Sequence, residues 1–352
     1  MAMKLKLLGM TPEELSSVAV GCGLPRYAGK QLARHLYVRK VRSFEQMTDI
    51  PKAGRAALAE VAETGLVEPL GSVLSSDGTR KYLFPVTTTL GSRKVSSIVE
   101  AVMIPDGDRK TLCVSSQAGC RMGCHFCMTG RQGFHGHLSV SDILSQMLSI
   151  DEADSLTNVV FMGMGEPLDN WDAVSAALRA ITEPWGFAWS PKRVTVSTIG
   201  VIPNLRRCLD ESKCHVAVSL HDPFPEERLS IMPVQKAYPL SEVLDLLKGY
   251  DFSGQRRVSF EYTMFAGFND TKAHADALAR SLKGLECRVN LIRFHQIPDF
   301  PYVTSSDEAI EAFRHRLNSY GVTATVRASR GEDIMAACGM LAGKFSKSKG
   351  ES

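Results

Sequence analysis

The spacing of hydrophobic positions along the chain changes twice. In residues 1–75 apolar side chains recur at helical intervals. Leu32 and Leu36 share one face there, and Lys30 and Arg34 share another. Thr11-Pro12-Glu13-Glu14 combines a capping residue, a first-turn proline and first-turn acids, which predicts a helix start. Residues 44–67 read as a further helical pair entered through Ile50-Pro51. From about residue 70 to 104 the alternation is that of strands, with Asp77-Gly78 as a turn dipeptide between apolar runs. After residue 110, β-rich runs at 112–115, 158–162, 194–197, 215–220, 258–263, 289–292 and 323–326 alternate with helical stretches. Those stretches include 140–150, 171–181, 240–250, 271–282 and 307–320. Such alternation predicts a parallel α/β sheet, either barrel-like or doubly wound. The chain divides accordingly into a helical unit (1–75), bridging strands (76–105), an α/β core (106–330) and a C-terminal segment (331–352) that ends in a short basic stretch.

Composition narrows the class. Hydrophobic residues make up 44% and charged residues 22%, as in globular proteins, and no apolar run approaches the length of a membrane span. The cysteines number nine, an odd count, and four of them fall between 113 and 127. That pattern is unlike a secreted disulfide framework, so a cytoplasmic protein without membrane association is expected. The net charge of +3 is less informative than where the charges fall. Between Glu14 and Glu45 there is no acid, yet Arg26, Lys30, Arg34, Arg39, Lys40 and Arg42 lie there with Tyr27, His35 and Tyr37. A solvated face and a phosphate-contacting surface both fit, and the missing acids favour the second.

Candidate chemistry concentrates in Cys120-Arg-Met-Gly-Cys124-His-Phe-Cys127. Three cysteines at this spacing let one loop wrap thiolates around a single metal centre. They suit a 4Fe-4S cluster that leaves one iron open to a small molecule. Zinc would need a fourth protein ligand, for which His125, His135 or His137 could serve. Other polar groups fall where the runs end: Gly165-Glu166-Pro167 after the second, Ser197-Thr-Ile-Gly200 after the third, and Ser219-Leu220-His221 after the fourth. Asn290 lies in the sixth, and Arg327-Ala-Ser-Arg330 follows the seventh. In a parallel barrel these would converge on the C-terminal face, where active sites form.

A cysteine loop of the form C-x-x-x-C-x-aromatic-C at the mouth of a βα barrel resembles the radical S-adenosylmethionine enzymes. With Glu100 in an apolar run, Cys113, Gly165-Glu166-Pro167, Ser197-Thr198, Ser219-Leu220-His221 and Ala337-Cys338-Gly339, the sequence resembles the RlmN family from about residue 25 to 343. These enzymes methylate carbon 2 of adenosine in 23S ribosomal RNA and transfer RNA. The resemblance implies a partial (β/α)6 barrel with a small helical accessory domain that binds RNA. It implies a 4Fe-4S cluster on Cys120, Cys124 and Cys127, two S-adenosylmethionine molecules per turnover, and an electron donor such as flavodoxin or ferredoxin. Carbon 2 is an electrophilic amidine carbon that will not attack a sulfonium methyl. The resemblance instead implies methylation of Cys338, radical addition of the resulting methylene to carbon 2, proton removal by Glu100, and release through a transient Cys113–Cys338 disulfide. A carboxylate in an apolar run could have its pKa raised by desolvation, which suits proton transfer. Gly165 and Glu166 would meet the methionyl amine, Ser197 the ribose side, Ser219, Leu220 and His221 the carboxylate and ribose, and Asn290 the adenine side. Cys22, Cys208, Cys214 and Cys287 match no motif and read as packing residues. After Asn290 the family's usual Leu-Ile-Pro-aromatic-Asn-Pro is replaced by Leu-Ile-Arg293-Phe-His295-Gln, which bears on local substrate contacts. The rival readings are a carbon-8 adenosine methyltransferase, a glycyl-radical activating enzyme, and a zinc-containing RNA-binding module.

Overall fold

The computed structural model describes residues 4–254 and 256–342; the basic stretch after residue 342 lies outside the described residues. Strands β1 (Leu5–Lys6) and β2 (Ala62–Glu63) pair in parallel and close a small N-terminal unit. Its helix Pro12–Gly21 starts as the sequence predicts, with Thr11 and Glu14 forming a reciprocal capping box. The expected helical pair over 44–67 is instead a short 3-10 turn, Phe44–Gln46, and one helix, Lys52–Val61. Pro51 fixes the start of that helix, and the chain then extends into β2.

Ten strands form one sheet. β3 (Gly71–Leu74), β4 (Arg80–Leu90) and β5 (Arg93–Asp106) run antiparallel, and β5 hands on to β6 (Arg109–Cys113). A separate hairpin, β7 (Gln117–Gly119) with β8 (Phe134–His137), follows β6. The parallel series then continues with β9 (Asn158–Phe161), β10 (Val194–Thr198), β11 (His215–Ser219), β12 (Val258–Met264), β13 (Cys287–Arg293) and β14 (Thr323–Arg327). Among the described residues β6 and β9–β14 make seven parallel strands, one for each β-rich run read in the sequence.

Their order in the sheet follows the chain without reversal. A doubly wound sheet would change direction at a switch point, so this order decides for the barrel. The sheet also curls: Arg327, at the end of β14, donates to Met162 Sδ beyond β9 at 3.4 Å. Helices Val140–Leu148, Trp171–Thr182, Ile202–Glu211, Leu240–Lys248, Lys272–Ser281 and Asp307–Ser319 supply the crossovers. Their apolar faces bury Trp171, Val174, Leu205, Val243, Leu278 and Phe313.

The N-terminal unit docks on the first crossover helix. Ser141 Oγ donates to Leu8 O at 2.8 Å and Lys6 meets Asp142 at 3.3 Å. Buried Tyr37 binds Met10 O at 2.7 Å and packs edge-on against Trp185 at 5.3 Å. Arg26, Lys30 and Arg34 remain exposed and, among the described residues, make no ion pair. Arg39, Lys40 and Arg42 pair with Asp49, Asp154 and Glu68.

Candidate active site

The cysteine loop is the excursion between β7 and β8. Cys120 N–H donates to Gly133 O at 2.9 Å, closing its neck. Gly119 has φ +70°, and a Cβ there would stand 2.0 Å from Gly133 O, so the neck requires glycine. Beyond the neck, His125 N–H donates to Ile231 O at 2.9 Å, and the short helix Met128–Arg131 begins directly after Cys127. Phe126 turns inward, its ring 4.8 Å from that of His221 and 5.6 Å from that of Phe265.

Burial pushes the thiols of Cys120, Cys124 and Cys127 up, that of Cys120 to about 12; Cys127 raises the other two further, and Cys338 raises Cys127. Thiolates crowded into an apolar pocket need a cation, so the donor set fits a metal centre. Zinc–sulfur bonds of about 2.3 Å would bring ligand atoms within roughly 4 Å of each other. Among the described residues the only His/Cys/Asp/Glu group with ligand atoms all within 4.8 Å is Asp222, Glu227 and His274. The three cysteines are spread wider than a single ion requires, and His125, His135 and His137 are exposed without closing the set. A multi-iron cluster fits; a zinc ion does not.

Two cavities meet at this loop. The smaller, about 170 Å³, is lined by Cys120, Cys124, Cys127, Gly165, Glu166, Ser197, Ser219 and His221. Glu166 is buried and held at both oxygens: Leu168 N–H donates to Oε1 at 3.0 Å and Ile199 N–H to Oε2 at 2.9 Å. Burial pushes its carboxyl up to about 7 against those bonds. His221, at φ +59°, accepts Thr263 N–H on Nδ1 at 3.0 Å, which leaves Nε2 to carry the proton. Burial moves its pKa down to about 3, so the ring is a neutral donor at physiological pH.

The larger cavity, about 460 Å³, is lined by Cys113, Arg109, Thr111, Asn290, Thr325 and Arg330. Cys113 ends β6; burial first, and then the neighbouring Cys338 sulfur, push its thiol up to about 12. Cys338 itself is exposed and lines both cavities, together with Arg327, Glu261 and His295.

Two of the residues expected to contact S-adenosylmethionine lie outside the smaller cavity. Leu220 is wholly buried away from both cavities, its carbonyl taken by Arg228 Nε at 2.9 Å. Asn290 borders the larger cavity, bonded to Glu261 at 2.7 Å and to Thr325 at 3.0 Å. Glu100 is also buried, with its carboxylate 3.7 Å from Lys81 Nζ. The family resemblance and desolvation in an apolar run motivated that residue in the sequence; the structure adds a buried lysine beside it.

Sequence reading missed Glu261, although an acid inside the apolar run Val258-Ser-Phe-Glu261-Tyr-Thr-Met carried a usable signal; Arg327 was expected there only as one of the polar groups that end strands. At the departure after Asn290, Arg293 pairs with Asp307 at 2.7 Å, Phe294 joins the Phe265–Phe300 cluster, and His295 sits 3.4 Å from Glu332. Cys208 and Cys214 are buried, and Cys22 and Cys287 half-buried.

A partial barrel with a three-cysteine loop at its mouth and a small-molecule cavity beside the loop defines a radical S-adenosylmethionine enzyme. Residues 114–278 match the Radical SAM superfamily, which brings a 4Fe-4S cluster and S-adenosylmethionine as cofactors. Residues 5–64 match the ribosomal RNA large subunit methyltransferase N-terminal domain. The crystal structure of a radical SAM methyltransferase from Sphaerobacter thermophilus superposes with a TM-score of 0.88 at 37% identity, covering 97% of this chain and all of that one (100%). A Porphyromonas gingivalis protein described as a probable dual-specificity RNA methyltransferase RlmN is 56% identical over 99% of this chain and 96% of its own length. The dual-specificity RNA methyltransferase RlmN of Syntrophus aciditrophicus is 39% identical over 98% of this chain and 99% of its own. The chain belongs to the RlmN family.

Proposed function

We propose that this chain methylates carbon 2 of adenosine in 23S ribosomal RNA and transfer RNA, with Cys338 carrying the methyl group. One observation carries the reading: Cys338 lines both the cavity beside the cluster loop and the larger cavity that holds Cys113. A methyl carrier has to face its donor on one side and its acceptor on the other. When bound, the cluster and S-adenosylmethionine supply the one-electron cleavage that yields a 5′-deoxyadenosyl radical.

The chain's own residues do the rest. Cys120, Cys124 and Cys127 would hold the cluster. The Gly165–Glu166 turn, Ser197, Ser219 and the neutral His221 would orient S-adenosylmethionine in the smaller cavity. The larger cavity would take an unstacked adenosine, with Arg109 and Arg330 beside its phosphates. Arg327, whose charge is stabilised foremost by Cys338, would stand beside the methyl carrier. Glu100 would accept the proton, and Cys113 would attack the Cys338 sulfur to free the product. The exposed Arg26–Lys30–Arg34 face would hold RNA, a flavodoxin- or ferredoxin-like carrier would supply electrons, and the cytoplasm is the compartment that gives access to both RNAs. No described helix is long and apolar enough to cross a membrane. The RlmN relatives do not favour the carbon-8 reading.

Mass-spectrometric nucleoside analysis of both RNAs after reaction with the reconstituted holoenzyme tests the assignment. 2-Methyladenosine is expected; 8-methyladenosine, or retained methylation by Cys338→Ala, overturns it. Cys113→Ala should trap RNA covalently on the protein and release little product.

A further inference from the structure

Lys81 is among the most buried charged side chains, 3% exposed on β4. A lysine is placed there at a cost in desolvation and side-chain freedom, so its partners show what it is for. There are two. Its Nζ lies 3.7 Å from the Glu100 carboxylate on neighbouring β5, and it donates to Met335 O at 3.4 Å. Met335 is three residues before Cys338 and sits in the left-handed region at φ +54°, a conformation that a methionine keeps only where its surroundings hold it.

The turn that leads into β4 grips the same segment. Gly331 N–H donates to Asp77 at 2.9 Å, and Asp333 accepts from Ser75 Oγ at 2.5 Å and from Ser76 N–H at 3.0 Å. On the far side of Cys338 the cluster loop takes over: Met128 N–H donates to Gly339 O and Thr129 Oγ to Leu341 O, both at 2.8 Å. Cys338 is therefore strung between the β3–β4 hairpin and the cluster loop. Lys81 reaches both that arrangement, at Met335, and the Glu100 carboxylate.

We propose that Lys81 is a positioning residue for RNA methylation, which ties the Glu100 carboxylate to the Cys338 segment so that proton acceptor and methyl carrier address one adenine. The proposal rests on Glu100 being the proton acceptor. A neutral amide could satisfy the Met335 carbonyl; the positive charge answers Glu100, which has to stay anionic until it receives the proton.

Reconstituted holoenzymes carrying Lys81→Met, Lys81→Arg and Glu100→Gln test this by separating the steps. For Lys81→Met, S-methylation of Cys338 and 5′-deoxyadenosine formation should stay near wild type. Release of 2-methyladenosine should fall about tenfold or more, with covalent RNA–enzyme species accumulating. The acid limb of the pH profile for release should move to higher pH, because the carboxylate loses its counter-charge, and Lys81→Arg should restore it. Wild-type release with an unmoved limb in Lys81→Met overturns the proposal. If Lys81→Met fails to fold, seen as no S-methylation of Cys338, Lys81→Gln keeps a donor for Met335 without the charge and faces the same criteria. Normal release by Glu100→Gln would instead remove Glu100 as the acceptor, whatever Lys81 does.

Discussion

Asp222 follows the His221 that borders the smaller cavity, and it is wholly buried. Phe224 N–H satisfies Oδ1 at 2.8 Å, while Oδ2 has no hydrogen-bond partner among the described residues and lies 3.9 Å from His274 Nε2. Burial pushes its carboxyl up to about 7, although His274 and Arg228 pull the other way. The folded state therefore binds a proton that the unfolded chain has released. Stability is lost as pH rises from the ordinary carboxylate range to about 7, and is level above it. Asp222→Asn keeps the acceptor for Phe224 and removes the buried charge. It should raise stability by about 2 kcal/mol at about pH 8, with the gain shrinking toward pH 4. Thermal unfolding across that range checks the slope, and a constant gain would contradict it. At this scale Cys120, Cys124, Cys127, Cys113 and Cys338 were legible because their spacing or neighbours are unusual. Lys81 was not, because one lysine in a strand looks like any other until its partners are known.

Among the elements, the basic N-terminal stretch separates into two sets. Its charges were visible in the sequence, but pairing was not: Arg39, Lys40 and Arg42 are answered by acids from elsewhere in the chain. Arg26, Lys30 and Arg34, without an ion pair among the described residues, are the set proposed to hold RNA. Neutralising these three should flatten the dependence of RNA affinity on salt by about two to three in log–log slope, at ~0.7–0.9 per phosphate contact. The same change at Arg39, Lys40 and Arg42 should flatten it less. Affinities across a salt series decide between them, and equal slopes for both triples would remove this face as the RNA contact. Strands were placed well because a parallel barrel alternates short β-branched runs with helices. The loss of one helix in 44–67 has a local cause in Pro51 and the pairing of β2 with β1.

The whole molecule couples the cysteine loop to the segment that follows Cys338. Met128, Thr129 and Gln132 all bind carbonyls between Gly339 and Ala342. The thiols are pushed up by burial, so cluster assembly at neutral pH must displace protons, and loading should weaken as pH falls. Removing the iron should lower the melting temperature and raise hydrogen exchange over residues 331–342 as well as over the cysteine loop. Protection of 331–342 unchanged by iron removal would show that the two are not coupled.

By itself the sequence determined the period of the barrel, the cysteine loop and the family resemblance, since each is written in local spacing or in short motifs. Tertiary structure decided what spacing cannot express. Strand order without reversal made the sheet a barrel, and curling brought Arg327 back beside Met162 and Cys113. That closure placed Cys338 between two cavities and Lys81 between Glu100 and Met335. The physical reason is distance along the chain. Lys81 and Met335 are 254 positions apart, and only a folded sheet puts an ammonium where a carboxylate and a carbonyl both need it.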